Sequence, residues 1–479
     1  MVSVSYRSVA IYTLITFVAI ISHEKSIGLL LTLPQYLFVS YYLLKQNFVE
    51  AYKWHLIFSL TCLSVPFSSL TDPGLNYTLY NYSKIKLVGP VSLSLLMSCF
   101  ILFGVLINKR KIIFSANLFS RLHKLMLWFC VYGVGMGVIG LFFMNYNLEK
   151  FFPFSMYVIP ILINSFTFLA INSDKFKLKM LLTMLNLLVS SPLASLLCIL
   201  TGFYATYSSD KIIPQNELGY YSALLIFSIF YMKNYFLPLF AGILSYIYMF
   251  NGGSGGKGII INILFLVFFL FMLFKNNNVI YRRRIKIART IVISFFVLGF
   301  TSLSLFINNS LFLWKMYNVV SLFNIFQGMD AVDLIPNSPR IRLISLIDIL
   351  YPWNENPLKV LLGTGYGGYF TDHINGFANC DLSHAFSQYE ISTGRFSRPH
   401  DTFAAVPLVN GVLGLWCLLR LSFLYIKKYK SNFLSLASIP WLILTFYYNS
   451  QYALVGLILL YVSDLQLNTD DNESENSLY

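Results

Sequence analysis

The sequence predicts an all-α, polytopic helical membrane protein of about 12–14 transmembrane helices with one large outer loop. Three observations carry this. Of 479 residues, 11% are charged and 57% hydrophobic, against roughly 25% charged in soluble domains, and the mean hydropathy is +0.66. Apolar runs recur at the ~17–25 residues that a helix needs to cross a ~30 Å hydrocarbon layer. The runs are continuously apolar, without the in–out alternation of a transmembrane barrel.

In chain order the apolar spans are 9–22, 27–44, 55–70, 87–107, 122–144, 151–171, 180–203, 218–232, 235–250, 258–274, 290–307, 404–426, 433–448 and 451–463. The first lacks a small-x-small cleavage site and leads straight into the second, so it reads as a span and not as a cleaved signal. Several spans are short and the last two read equally as one broken unit, which gives the count its range.

Charge orients the chain. The densest basic loops are Lys109-Arg110-Lys111, the Lys175/Lys177/Lys179 run, Arg282-Arg283-Arg284 with Lys286 and Arg289, and Lys427-Lys428-Lys430. Alternating the spans puts all four on one side together with both termini, and the positive-inside rule makes that side the cytoplasm. Loops 71–86, 145–150, 204–217, 251–257 and 308–403 then face outward. The net charge of +14 has this local origin, so nucleic acid is not an expected partner. The chain divides into residues 1–307, about eleven membrane helices with short loops; 308–403, the large outer loop; 404–463, the C-terminal membrane helices; and 464–479, an acidic tail read as disordered and cytoplasmic. Cys62, Cys99, Cys130, Cys198 and Cys417 fall in apolar spans and read as buried small hydrophobes. Cys380 lies in the loop, and no disulfide or zinc spacing is present.

The large loop carries SPRIRL (Ser338 to Leu343), LLGTGYGG (Leu361 to Gly368) and GRFSRPHD (Gly394 to Asp401). Arg342 to Leu350 has helical apolar spacing and reads as a helix along the membrane surface, broken by Pro352, Asn354, Asn356 and Pro357. Phe377, Phe386, Tyr389 and Phe396 favour an ordered loop over a disordered one.

Arg340 and Arg342 present planar donor forks that hold phosphate bidentately; the competing reading is snorkelling at the interface. Gly363 to Gly368, with Gly363 and Gly365 at its start, has no βαβ unit to make it a dinucleotide fingerprint. It reads as a turn that lets backbone approach a ligand, or as a plain flexible turn. His400-Asp401 follows Arg398 by two residues where the loop re-enters the membrane, and histidine there is a base or a structural group. His373 and His384 are weaker candidates, and with Asp372 and Asp381 they match no metal-ligand spacing, so no metal is expected. In the outer loop Asn251 to Gly258, glycines give Lys257 reach toward an anion. Glu217 reads as an ordinary carboxylate at a helix start.

The order Asn216-Glu217-Leu218-Gly219, then SGGKG (Ser254 to Gly258), Arg342-Leu343, P-L-x(4)-G-T-G-x-G (Pro357 to Gly367), His400-Asp401 and G-V-L-G (Gly411 to Gly414) resembles the O-antigen ligase and O-antigen polymerase superfamily of bacterial inner-membrane glycan enzymes. The match covers about residues 200–425. The resemblance implies a membrane-embedded, metal-independent, inverting glycosyltransferase without a cofactor. Its substrates would be oligosaccharides linked to undecaprenyl pyrophosphate, used at the periplasmic face. The family arginine falls on Arg342, with Arg340 as the alternative register, and the His-Asn/Asp pair falls on His400-Asp401. The family's Ser-Arg-Gly falls on Gly256-Lys257, which keeps charge and loses the fork.

The implied chemistry is loss of pyrophosphate from an oxocarbenium-like sugar, with Arg342, Arg340, Lys257 and Arg398 stabilising the leaving charge and His400 positioning the acceptor hydroxyl. Tyr366, Tyr369 and Phe377 are candidates to stack on sugars, and membrane lipid and a chain-length regulator protein are implied partners. The resemblance leans toward an O-antigen polymerase joining repeat units. The alternatives are a ligase that moves the glycan to lipopolysaccharide core and, from another class, a flippase for the lipid-linked oligosaccharide.

Overall fold

The computed structural model describes residues 4–21, 25–61, 82–83, 85–88, 91–108, 121–171, 173–203, 205–207, 210–212, 234, 236–251, 286, 290, 293, 317, 320–321, 335–383, 385–397, 399, 402–428 and 450–462. These are mostly helical. In order come α1 (Tyr6–Ile21), α2 (Lys25–Leu44), α3 (Phe48–Thr61), a hairpin of β1 (Lys86–Val88) and β2 (Val91–Ser92), then α4 (Leu93–Asn108), α5 (Arg121–Phe143), α6 (Leu148–Ile171) and α7 (Asp174–Leu200). A second hairpin, β3 (Ala205–Tyr207) with β4 (Asp210–Ile212), precedes α8 (Phe236–Asn251). After it come α9 (Asn337–Leu350), a 3-10 turn (Tyr351–Trp353), α10 (Pro357–Leu362), α11 (Gln388–Thr393), α12 (Thr402–Lys428) and α13 (Ser450–Val462).

Among the described residues, α5, α7 and α12 are long and apolar enough to cross a membrane, and shorter apolar helices accompany them. The 27 residues of α7 rise ~40 Å at ~1.5 Å each, more than the ~30 Å of a hydrocarbon core. Its start is set by Ser173, whose hydroxyl accepts the Phe176 amide at 3.2 Å, with Asp174 in the first turn facing the positive end of the helix dipole. Helices α1, α3, α8 and α13 all pack on α7. Buried Ser190, Ser191 and Ser195 keep its surface small enough for close approach.

The exterior of the bundle is greasy: Leu30, Leu37, Phe103, Ile107, Trp128 and Phe142 are exposed. Polar pairs sit inside, where Tyr52 donates to Asn164 Oδ1 at 2.6 Å, His55 Nε2 meets Ser98 Oγ at 2.8 Å and His123 Nε2 meets Ser165 Oγ at 3.2 Å. Apolar side chains outside and paired polar groups such as these inside is the arrangement hydrocarbon surroundings favour.

Three readings of the sequence are corrected. The helix of the expected span 87–107 starts only at Leu93: Leu87 and Val88 belong to β1, and Val91 and Ser92 form β2. Helix α3 starts at Phe48, seven residues before the apolar run, because Glu50 and Lys53 pair along it at 2.5 Å and Glu50 also pairs with Lys179 of α7. The stretch 204–217, read as a loop, carries the three-residue strands β3 and β4 within an otherwise mostly helical fold.

The two ends of the bundle differ. One carries the Glu50–Lys53–Lys179 cluster, with Lys177 5.2 Å over the ring of Tyr461 in α13. At the other, the α5–α6 turn meets a folded cap, residues 335–397. There Lys150 Nζ lies 3.0 Å from Ser387 Oγ and 3.6 Å from Glu390. The cap has its own core: Phe370, Phe377, Phe386 and Phe396, with ring centroids 4.5 to 6.5 Å apart. They close over Ile341 and Ile344 of α9 and Ala404 and Leu408 of α12. Backbone bonds of 2.9 Å in both directions join Phe370 to Phe396.

Candidate functional site

The site lies where the cap meets the bundle, and a break in α12 creates it. Gly411 has φ 73° and ψ 174°, which no helix accommodates, and Pro407 precedes it. Carbonyls beside the break need partners from elsewhere. The glycine turn supplies them: Thr364 N donates to Leu408 O at 2.7 Å, Gly365 N to Val409 O at 3.0 Å, and Tyr366 N to Gly133 O of α5 at 2.9 Å. The Thr364 hydroxyl adds a bond to Leu408 O at 2.8 Å. A side chain at Gly411 would sit 1.9 Å from Leu361 O, so glycine is required by both conformation and space.

This settles how the turn is used. Gly363 N is bonded to Lys359 O as well, and Gly363, Thr364 and Gly365 are buried. The amides of Gly363, Thr364 and Gly365 are committed to protein carbonyls, so the close backbone approach the turn allows is to Lys359, Leu408 and Val409. Tyr366 and Phe377 are 7% and 5% exposed and pack inside, so neither offers a face to a sugar. Tyr369 is the aromatic of that trio left half-buried, with the Arg395 guanidinium 4.9 Å and Lys359 Nζ 6.0 Å from its ring.

Helix α9 starts at Asn337, so both arginines lie within it and not ahead of it. Arg340 is 6% exposed and donates to Gly376 O at 2.9 Å, which ties α9 to the irregular segment. Arg342, two residues on, is half-buried and forms no ion pair with a described residue. The structure thus separates the two registers: Arg340 is internal scaffold, and Arg342 is the guanidinium with surface access. Lys257, Arg398, His400 and Asp401 lie outside the described residues, as does His384.

Asp348 is the group the sequence reading does not single out. It sits on α9 one helical repeat after Ile341, in line with Ile344 and Ser345, all buried. A lone carboxylate in the apolar stripe of that helix was the available signal. The residue is fully buried. Its Oδ1 accepts the His373 and Ile374 amides at 2.9 and 3.4 Å, while Oδ2 meets no donor among the described residues. Burial, with Asp372 nearby, pushes its carboxyl up to about 7. Asp372 is itself bonded to the Gly376 and Phe377 amides at 2.8 and 2.9 Å. Asp348 borders a small cavity of about 20 Å³ whose rim includes Lys359, Thr364, Tyr369 and His373. The His373 ring stacks on Tyr351, centroids 4.9 Å apart.

Within the cap, Glu390 ties Ser387 to Ser397. It completes a capping box with Ser387 and takes the Ser397 amide and hydroxyl at 2.9 and 2.7 Å. Burial would raise its carboxyl, but the bonds from Ser387 and Ser397 outweigh that and hold it below the usual range. Among the described residues, no three His, Cys, Asp or Glu side chains are grouped as a metal site. No family model, curated protein or solved structure matches this chain, so its functional reading rests on these residues.

Proposed function

We propose that this chain is a polytopic inner-membrane glycosyltransferase, with both termini cytoplasmic. Its function in this reading is that of an O-antigen polymerase: it joins oligosaccharide repeat units carried on undecaprenyl pyrophosphate at the periplasmic face. The observation that carries the reading is the cationic and aromatic rim of the cap, in which Lys359 and Arg395 flank Tyr369, and Lys359 and Tyr369 line a cavity with Asp348, a carboxyl poised near neutrality. Guanidinium and ammonium groups suit a departing diphosphate, and a half-exposed tyrosine flanked by cations suits a sugar face.

Geography supports the same reading. The segments expected outside by charge alternation, 145–150 and 308–403, touch each other through Lys150, Ser387 and Glu390. Those expected inside, around residues 45–54, 172–179 and 463, meet through Glu50, Lys179 and Tyr461. His400 stays in the proposal as a group that positions the acceptor hydroxyl, Arg398 and Lys257 as further anion contacts, and Asp401 as a glycan contact.

A flippase needs ionisable groups along a path through the spans. The buried His55 and His123 are such groups, but the partners recorded for them, Ser98, Tyr82 and Ser165, are neutral. One experiment separates the readings. A deletion strain whose lipopolysaccharide core carries a single repeat supports a polymerase. Bare core with lipid-linked polymer accumulating means a ligase, and bare core with lipid-linked single units means a flippase. Reporter fusions that put Pro336 or Asn379 in the cytosol overturn all of the periplasmic chemistry.

A further inference from the structure

Resting on the glycosyltransferase reading, we propose that the niche under Asp348 receives the acceptor sugar's attacking hydroxyl, with Asp348 Oδ2 as the base that takes its proton. The niche is the right size for one hydroxyl and too small for a ring: a cavity of about 20 Å³ exceeds the ~10–15 Å³ one water-sized group occupies and falls far short of a sugar. The sugar ring then stays at the mouth, against Tyr369, with Lys359 beside it.

Two features make the niche a binding feature and not a packing fault. Asp348 is oriented, since the His373 and Ile374 amides hold Oδ1, while Oδ2 has no donor among the described residues; the residue lines the cavity, and the Asp372 carboxyl lies within hydrogen-bonding reach of it. A fully buried carboxylate oxygen left without a donor costs ~1–3 kcal/mol or more, and a ligand hydroxyl supplies what is missing. The alternative occupant is a single ordered water.

The step balances without a metal or co-reactant. The acceptor oxygen forms its bond to the anomeric carbon as the carbon–oxygen bond to pyrophosphate breaks. The pyrophosphate leaves with the electron pair, and the hydroxyl proton passes to Asp348 and on to water. A carboxyl near 7 is ionised in part at neutral pH and is a stronger base than an ordinary aspartate. The charged groups facing it are Asp372 and His373 on the following segment and Lys359 on α10; from α12, among the described residues, Pro407 and Leu408 face it.

The test uses membranes from the deletion strain carrying wild-type, Asp348→Asn, Asp348→Glu or Lys359→Ala protein. The probe is the lipid-linked repeat unit extracted from that same strain. Asparagine keeps an acceptor for the two amides, so the cap is expected to fold; resistance of the cap to protease checks this. Asp348→Asn is expected to slow polymerisation at least ~100-fold, the low end for loss of a general base, while lipid-linked units still copurify with the protein. Wild type is expected to gain rate as pH rises through about 7, with Asp348→Glu keeping a measurable rate and a similar rise. Lys359→Ala is expected to raise KM more than it lowers kcat.

A folded Asp348→Asn protein that polymerises at the wild-type rate, or retains the wild-type pH profile, means that the niche holds water only and overturns the proposal. An Asp348→Asn cap that does not fold leaves the decision to Asp348→Glu, whose failure to show the pH rise overturns it equally. A deletion strain that still makes the full polymer ladder overturns the glycosyltransferase reading itself, a result separable from any variant's behaviour.

Discussion

The amide and the hydroxyl of Thr364 both end on one atom, the carbonyl oxygen of Leu408, at 2.7 and 2.8 Å. This pair of hydrogen bonds across 44 residues of chain is the joint between the cap and α12. Thr364→Val keeps the amide bond and removes the other, and is expected to destabilise the protein by about 1 kcal/mol, read as a small drop in the thermal midpoint in detergent. Gly411→Ala is a harsher test. Its side chain would meet Leu361 O at 1.9 Å with φ at 73°, so the cap is expected to lose protease resistance.

Arg340 and Arg342 are expected to part company. Arg340→Ala removes a buried side chain bonded to Gly376 O and is expected to lower stability by about 2 kcal/mol, with activity falling only as folded protein is lost. Arg342→Ala is expected to leave expression and midpoint intact and to abolish long-chain product on a lipopolysaccharide gel. A full ladder from Arg342→Ala would remove the arginine from the proposed diphosphate clamp.

Much of this was legible in the sequence. The run 122–144 is apolar over a membrane's thickness and 235–250 over a shorter length, and helices α5 and α8 follow them within a residue or two. The aromatic residues that argued for an ordered loop do form its core, save Tyr389, which is exposed. The glycine turn was visible as a feature, but its partners were not. The amides of Thr364, Gly365 and Tyr366 are satisfied by carbonyls beside the break at Gly411 and by Gly133, partners 44 or more residues distant, and no local pattern carries that information. Asp348 was overlooked because a helical stripe of Ile341, Ile344 and Ser345 absorbs it. Only the backbone amides of residues 373–374 reveal why a carboxylate belongs there.

Asp348 gives the cap a pH dependence of known sign. Its carboxyl is raised to about 7 in the fold against roughly 3.9 unfolded. The folded state therefore holds a proton that the unfolded state lacks, and stability is fully present below about pH 4 and lost as pH rises through about 7. Thermal midpoints of wild type are expected to fall over that window relative to Asp348→Asn, which has no proton to lose. Parallel curves for the two proteins would show that the side chain is ionised throughout.

Glu390 carries the opposite sign. Its carboxyl is held below the usual range, so its contribution is present above about pH 4 and lost as pH falls through the lowered value. Glu390→Gln is expected to cost about 2 kcal/mol at neutral pH, to loosen residues 387–397 to protease, and to make wild type and variant converge in acid. Lys150→Ala, which removes the 3.6 Å pairing from the α5–α6 turn, is expected to cost well under 1 kcal/mol, since the amine is partly solvated.

The stitching of Thr364, Gly365 and Tyr366 into two separate helices anchors the outer segment at its base. In the proposed polymerase, a long chain being extended beside it would travel sideways out of the lipid phase and past a stationary post. The tempo of such an engine would be set by how fast cargo slides along a fixed wall, and no flap would need to swing between rounds.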